Sequence, residues 1–238
     1  MSRYFFIIGL QMVVALALGQ DAKVHQLHSS TLNSILENDR VTLIDVRTPS
    51  EFSNGHIEDA GQLNYYSFDF KKKLLLLPRD KPVYLYCNTG YRSQKAAEFL
   101  IKNGYDQVYN LEKGIMEWEL LDLAVVVEPD ARPDTKHKME SDEYFALIES
   151  ERPVFIDFYA PWCGPCRQMM PMIDSLKTAY AGKIDVVKIN ADASKRLVKE
   201  LELGSVPWFR MFRNGEQIFE HSGLLTEERV TGLFESVL

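Results

Sequence analysis

Beyond residue 22, the chain alternates short apolar runs with stretches whose apolar residues recur every three or four positions. Thr31 to Asn38 places Leu32, Ile35 and Leu36 at helical spacing. Val41-Thr42-Leu43-Ile44 and Val83-Tyr84-Leu85-Tyr86 read as buried strands, and Leu63-Asn64 and Val108-Tyr109 as shorter ones. Phe68 to Leu77 is predicted as a helix that ends before Pro78. Ser93 to Lys102 is predicted as another, with Ala96, Ala97, Leu100 and Ile101 inward and Asn103-Gly104 as its stop. Strands alternating with helices predict an α/β layer around a mainly parallel sheet.

The pattern restarts after Glu128-Pro129-Asp130-Ala131-Arg132-Pro133-Asp134, where two prolines and alternating charges suit an exposed, stiff connector. A helix is predicted from Ser141 to Glu149, a strong strand at Val154 to Tyr159, and a helix from Arg167 to Tyr180 interrupted at Pro171. A strand at Ile184 to Ile189 and a helix at Ala193 to Leu201 follow. Trp208 to Phe212 and Gln217 to Glu220 flank Asn214-Gly215, a hairpin signal that adds an antiparallel edge. Thr226 to Val237 closes as a helix. The expected fold class is α/β in two domains, residues 22–128 and 135–238, joined by a linker at 129–134.

The opening is of another kind. Arg3 is the only charge before Asp21, and Tyr4 to Leu18 is apolar except for Gly9 and Gln11. That core is short for a spanning helix and fits a secretory signal over residues 1–19, with Ala17-Leu18-Gly19 as the cleavage region and Ala15-Leu16-Ala17 as a second choice. An uncleaved anchor is the competing reading. Either one predicts a periplasmic or secreted protein.

Charge excludes one class of partner. With 27 basic and 34 acidic side chains, the net charge of −7 argues against nucleic acid. Lys71-Lys72-Lys73 reads as a solvated helix face. His25, His28, His137 and His221 read as surface residues. No metal, nucleotide or flavin motif is present, so no cofactor is expected.

Three cysteines are too few for a disulfide scaffold, and their surroundings point to chemistry. Trp162-Cys163-Gly164-Pro165-Cys166 follows a strand and opens a helix. Free N–H groups and the helix dipole there favour a Cys163 thiolate, and Cys166, one turn on, can resolve a mixed disulfide. A metal site would need a second ligand pair, which is missing; a purely structural disulfide is the other alternative. Asp157 interrupts an apolar strand, and burial should raise its pKa toward that of a general base for Cys166.

Cys87-Asn88-Thr89-Gly90-Tyr91-Arg92-Ser93 also joins a strand to a helix. Consecutive amides of Asn88, Thr89, Gly90 and Tyr91 can converge on an anion, with Arg92 as a fixed cation and Gly90 giving the backbone room. An inert core thiol is the alternative for a cysteine after a buried strand. Both functional readings require Cys87 and Cys163 to be ionised and not sealed among hydrocarbon neighbours.

The second half resembles the thioredoxin family. Ile156 to Cys166 looks like that family's active-site strand and loop, with Trp162, Gly164 and Pro165 around the dithiol. Pro171 sits where the family kinks its helix, and Lys188 matches the lysine beside its buried acid. Val206-Pro207 matches the family's cis proline facing the dithiol, and Gly223 a glycine of its docking surface. Trp208 departs from the family's usual small polar residue and is expected to reshape the docking groove.

The first half resembles the rhodanese family through Leu43-Ile44-Asp45-Val46-Arg47, Glu51-Phe52, Gly55-His56-Ile57, the loop from Cys87 to Arg92, and Gly114-Ile115-Met116-Glu117-Trp118. The resemblance implies sulfane-sulfur transfer through a Cys87 persulfide. The four-residue gap between Cys87 and Arg92 separates the chain from related phosphatases. In this family Asp45, Arg47, Glu51 and His56 brace loops, and Asn88 to Tyr91 serve chiefly through their amides.

Together the resemblances imply an exported thiol enzyme. Its partners would be a sulfane-sulfur donor such as thiosulfate or a persulfide, protein disulfides, and an external, membrane-borne electron donor. The alternative is a general disulfide reductase whose first half only docks partners or senses sulfide.

Overall fold

The structure, a computed structural model, describes residues 23–238. The expected signal segment at 1–19 lies outside the described residues.

The first half runs β1 (His25–Leu27), α1 (Ser29–Asn38), β2 (Thr42–Asp45), α2 (Pro49–Ser53), β3 (Gly61–Gln62), α3 (Phe70–Leu74), β4 (Val83–Tyr86), α4 (Tyr91–Lys102), β5 (Val108–Leu111) and α5 (Gly114–Leu120). Its strands form a parallel sheet in the order β1-β5-β4-β2-β3. β4 is central and buried throughout, so its carboxyl end delivers Cys87 to the sheet's edge beside the ends of β2 and β5. One apolar layer packs Leu85, Val108 and Leu100 with Phe70 and Leu74; the opposite layer packs Leu43, Tyr84 and Tyr86 with Leu32, Ile115 and Trp118.

The second half runs α6 (Ser141–Ile148), β6 (Val154–Tyr159), α7 (Gly164–Ala179), β7 (Asp185–Asn190), α8 (Lys195–Glu200), β8 (Trp208–Arg213), β9 (Glu216–Ser222) and α9 (Glu227–Glu235). The sheet order is β7-β6-β8-β9, with β7 parallel to β6 and the β8–β9 hairpin antiparallel. The hairpin turns on Asn214 and Gly215, both at positive φ.

Several expected elements shift. The strand expected at Leu63-Asn64 lies at Gly61–Gln62, where it pairs with β2. The helix expected from Phe68 to Leu77 is regular only over Phe70–Leu74; tight turns at Leu76 and Leu77 carry the chain to Pro78. β1, α2 and α5 had no sequence-based expectation, being short and lacking a full amphipathic period. His25 and His28 are exposed, whereas His137 and His221 are half-buried. Nδ1 of His137 lies 2.9 Å from the Tyr159 hydroxyl, and Nε2 of His221 lies 3.1 Å from the Leu224 carbonyl.

The halves touch. Lys195 and Lys199, one turn apart on α8, pair with Glu119 of α5 and with Asp122 just beyond it. Met116 of α5 packs against the apolar cluster of the second half.

Candidate functional site

The first site is the turn from β4 into α4. Gly90, the N-cap of α4, has φ of +82°, and a Cβ there would lie 1.8 Å from the Glu112 carbonyl oxygen, so only glycine fits. The neighbouring turn clamps the loop: the amides of Ile115 and Met116 donate to the carbonyls of Cys87 (2.8 Å) and Asn88 (3.1 Å). Gly114 is equally confined, its φ of +64° placing a Cβ 2.3 Å from the Asn88 carbonyl oxygen. The carbonyls of Cys87 and Asn88 are thereby engaged by the neighbouring turn. Among the described residues, the amides of Asn88, Thr89, Gly90, Tyr91, Arg92 and Ser93 find no protein acceptor. A run of unpaired donors at a twelve-residue helix is a ready anion cradle.

Arg92 and Asn88 meet at one carboxylate. Glu51 accepts from Arg92 Nη2 (2.6 Å) and Nη1 (3.1 Å), from Asn88 Nδ2 (2.6 Å), and from the Thr48 hydroxyl (2.7 Å) and amide (2.9 Å). Burial works to raise the Glu51 pKa, but the Arg92 and Thr48 hydrogen bonds win and hold it below its ordinary value. Burial likewise opposes the Arg92 charge, and the same pair more than restores it. Asn88 therefore does more than lend an amide, because its side chain is wedged between Glu51 and Arg47 Nη1 (3.1 Å). Arg47 in turn binds the buried Asp45 carboxylate (2.6 Å) and the Gly55 carbonyl (2.6 Å).

Cys87 lies beneath this polar roof. It is 1% exposed, with Val46, Leu85, Ala96 and Ala97 in the apolar cluster below it. The expectation of a thiol not sealed from water is corrected here, because the fold covers Cys87 with its own loop. Its upper side is polar, since the Ser93 hydroxyl lies 3.5 Å from Sγ and 3.1 Å from the Gly90 carbonyl. One hydroxyl proton serves one acceptor at a time, and a thiolate or persulfide would draw it to sulfur. Thr89 is half-buried, and Tyr91 projects into solvent.

The second site is the turn from β6 into α7. Cys163 is the N-cap and is bonded to Cys166; its Sγ accepts the Cys166 amide at 3.1 Å. In this oxidised state Cys163 is 3% exposed, while Gly164 and Pro165 are exposed. The Val206-Pro207 peptide is cis, and the Val206 carbonyl oxygen lies 3.7 Å from Cys163 Sγ. The Gly223 amide donates to the Pro207 carbonyl at 2.9 Å, tying the end of β9 to that loop. Trp208, expected to reshape the groove, donates its indole N–H to Glu220 (2.9 Å) and packs into the apolar cluster behind it.

Asp157 lies on β6, the strand that leads into the dithiol turn, 3% exposed, with Lys188 of β7 as its cross-strand neighbour. Burial pushes its pKa up to about 7; Lys188 pulls it down but is itself bound to Asp174, whose charge pushes the other way. A carboxyl poised near neutrality can exchange a proton with a thiol at ordinary pH.

Two contributions escaped the sequence. The Ser93 hydroxyl sits beside sulfur, though the Arg-Ser pair after the loop was its only signal. Tyr66 and Trp162 both approach the Arg92 guanidinium, their ring centroids 5.5 and 6.0 Å away, and nothing in their spacing announces it.

Comparison with known proteins finds two families along the chain. The rhodanese-like domain family model matches residues 29–121, and the thioredoxin family model residues 135–235. A thioredoxin of Synechocystis is 34% identical over 92 residues, which is 39% of this chain and 86% of that protein. The M-type chloroplast thioredoxin of Spinacia oleracea is 39% identical over 39% of this chain, and the match spans about half (51%) of that protein's length. The oxidised mitochondrial thioredoxin 3 of Saccharomyces cerevisiae aligns over 41% of this chain and 90% of its own, with 31% identity and a TM-score of 0.37.

Proposed function

The chain belongs to the thioredoxin family through its second half, with a rhodanese-like domain ahead of it, and from that premise we propose that it couples sulfane-sulfur transfer to thiol–disulfide exchange. The carrying observation is the run of amides from Asn88 to Ser93, at the turn that follows Cys87, which find no protein acceptor among the described residues and are braced by the Glu51–Arg92 pair.

Cys87 thiolate attacks the sulfane sulfur of a donor such as thiosulfate. The donor's S–S bond breaks, sulfite leaves, and a Cys87 persulfide anion remains in the cradle. With the second site reduced, the Cys163 thiolate takes the outer sulfur and Cys87 leaves as thiolate. Cys166 then attacks Cys163, a disulfide forms, and sulfide departs with the two electrons of the dithiol. Asp157 supports the last step as the acceptor of the Cys166 proton. A two-electron donor from outside, such as a membrane-borne dithiol, restores the pair, and the apolar run of residues 4–18 supports an exported setting. Protein disulfides are the other substrate class, taken at the groove formed by Val206, Pro207 and Gly223.

Mass spectrometry of the reduced protein after thiosulfate tests this. The expected result is a transient +32 Da adduct on Cys87 that decays as the Cys163–Cys166 disulfide forms. A persulfide that persists beside a reduced pair, or none on Cys87, refutes the coupling. The near-complete coverage of Cys87 favours a second reading, a disulfide reductase with a first half that only docks or senses. Insulin reduction unchanged by Cys87→Ser, with no thiocyanate from thiosulfate and cyanide, is its signature.

A further inference from the structure

Between the halves lies a cleft of about 420 Å³. The first half lines it with Tyr66 and with Glu51 and Asn88, which brace the Cys87 loop; the second lines it with Pro161, Trp162 and Asp192. The Trp162 indole N–H donates to Asp192 at 2.8 Å, which fixes the ring in the cleft wall. The ring faces Arg92 of the opposite half, whose guanidinium also has Tyr66 at 5.5 Å. Arg92 is thus held at one edge by Glu51 and approached by two aromatic rings, one from each half. An aromatic ring beside a guanidinium attracts the cation and displaces water from it, and both effects favour one position of the cation and strengthen its pull on an anion.

We infer that Trp162, a residue of the redox half, is a positioning residue for the sulfur site of the other half: acting through Arg92, it orients small anionic sulfur donors entering the shared cleft. This rests on the reading that Cys87 accepts sulfane sulfur, and adds that the first half's donor site is incomplete without the second. Trp162 therefore stands at both sites, next to Cys163 in the chain and over Arg92 in space.

The test uses the full chain with the Cys163–Cys166 disulfide closed, so that only Cys87 turns over. Thiosulfate gives its outer sulfur to Cys87 and releases sulfite; cyanide takes that sulfur, releases the Cys87 thiolate and leaves as thiocyanate. Trp162→Ala is expected to raise KM for thiosulfate about 3- to 10-fold with kcat changed less than about 2-fold, and Trp162→Phe, which keeps a ring, to restore most of the loss. Should Trp162→Ala fail to fold, Trp162→Leu keeps bulk without a π face and carries the same expectation. Thiosulfate should also change the emission of the wild type more than that of Trp162→Phe, a signature that a merely structural tryptophan would not give. Normal thiocyanate production with unchanged KM in both Trp162→Ala and Trp162→Leu overturns the inference alone. No thiocyanate from the wild type overturns the sulfur reading and this inference with it.

Discussion

Both halves place a cysteine where a buried strand turns into a helix, yet they treat buried charge in opposite ways. The first half keeps its acid ionised: Glu51 has five donors on its carboxylate, and its pKa is held down. The second half leaves its acid without a hydrogen bond among the described residues, and the Asp157 pKa climbs to about 7. On the proposed function, fixed charge suits a site that would hold an anion still, and a proton ready to leave suits one that cycles between thiol and disulfide. The linkage signs follow. Glu51 contributes stability above its unfolded pKa, and that stability is lost as pH falls through its lower folded value. Asp157 binds its proton more tightly folded than unfolded, so stability falls as pH rises from about 4 to about 7 and is flat beyond.

The sharpest way to break this contrast is to neutralise the fixed charge. Glu51→Gln leaves Arg92 buried without its partner and takes an acceptor from Asn88. Removing one member of a buried pair typically costs about 3–5 kcal/mol. Urea unfolding should show a loss of that order, and thiocyanate formation should drop about 10- to 100-fold as Arg92 and the loop lose their anchor. The redox half, tested by insulin reduction, should stay within about 2-fold. Comparable losses in both assays would mean that the sites share one support.

Asp157→Asn makes the opposite test, with a smaller effect. Near pH 8 the variant should be more stable than the wild type, by about 2–4 kcal/mol if the full pKa displacement is realised. Near pH 4 the two should match. Its insulin-reduction profile should lose the inflection near pH 7 and run several-fold slower above it. Denaturant midpoints across that range, read with the pH profile, check both. A stability gain equal at both ends of the range would show that Asp157 does not titrate between them.

What was legible in the chain tracks how locally each feature is encoded. The strands at Val83–Tyr86 and Val154–Tyr159, and the hairpin at Asn214-Gly215, follow from runs of apolar residues and one turn pair. Cys87, Arg92, Cys163 and Cys166 announced themselves because each thiol site occupies one short segment. The short elements β1 and α5 did not, because β1 becomes a strand only by pairing with β5 and α5 a helix only by packing on the sheet. Glu51 reads as a brace from its sequence setting, but its grip on Arg92 spans forty-one positions and no pattern along the chain encodes that. The coverage of Cys87 went unseen for a related reason: the Gly90 and Gly114 contacts that close its roof join separate turns.

The contact between halves carries the smallest effect. Lys195–Glu119 and Lys199–Asp122 join α8 to the end of α5, but three of the four side chains are about half or more exposed, and such pairs contribute about 0–1 kcal/mol each. Two of them can bias the arrangement of the halves without locking it. If sulfur passes from Cys87 to Cys163 within one chain, the rate of that step depends on how often the cleft presents one site to the other. Double charge reversal, Lys195→Glu with Lys199→Glu, sets like charges against Glu119 and Asp122 and should slow single-turnover decay of the Cys87 persulfide about 2- to 5-fold. Insulin reduction should not move beyond about 2-fold, since the dithiol's own machinery is untouched, and loading at saturating thiosulfate should hold as well, because Trp162 acts on KM and not on kcat. Raising salt to about 0.5 M should reproduce part of the slowing in the wild type and little in the variant, because screening acts on pairs the variant has already lost. Decay that depends on protein concentration would show instead that sulfur passes between chains, and the latch would then have no bearing on the chemistry.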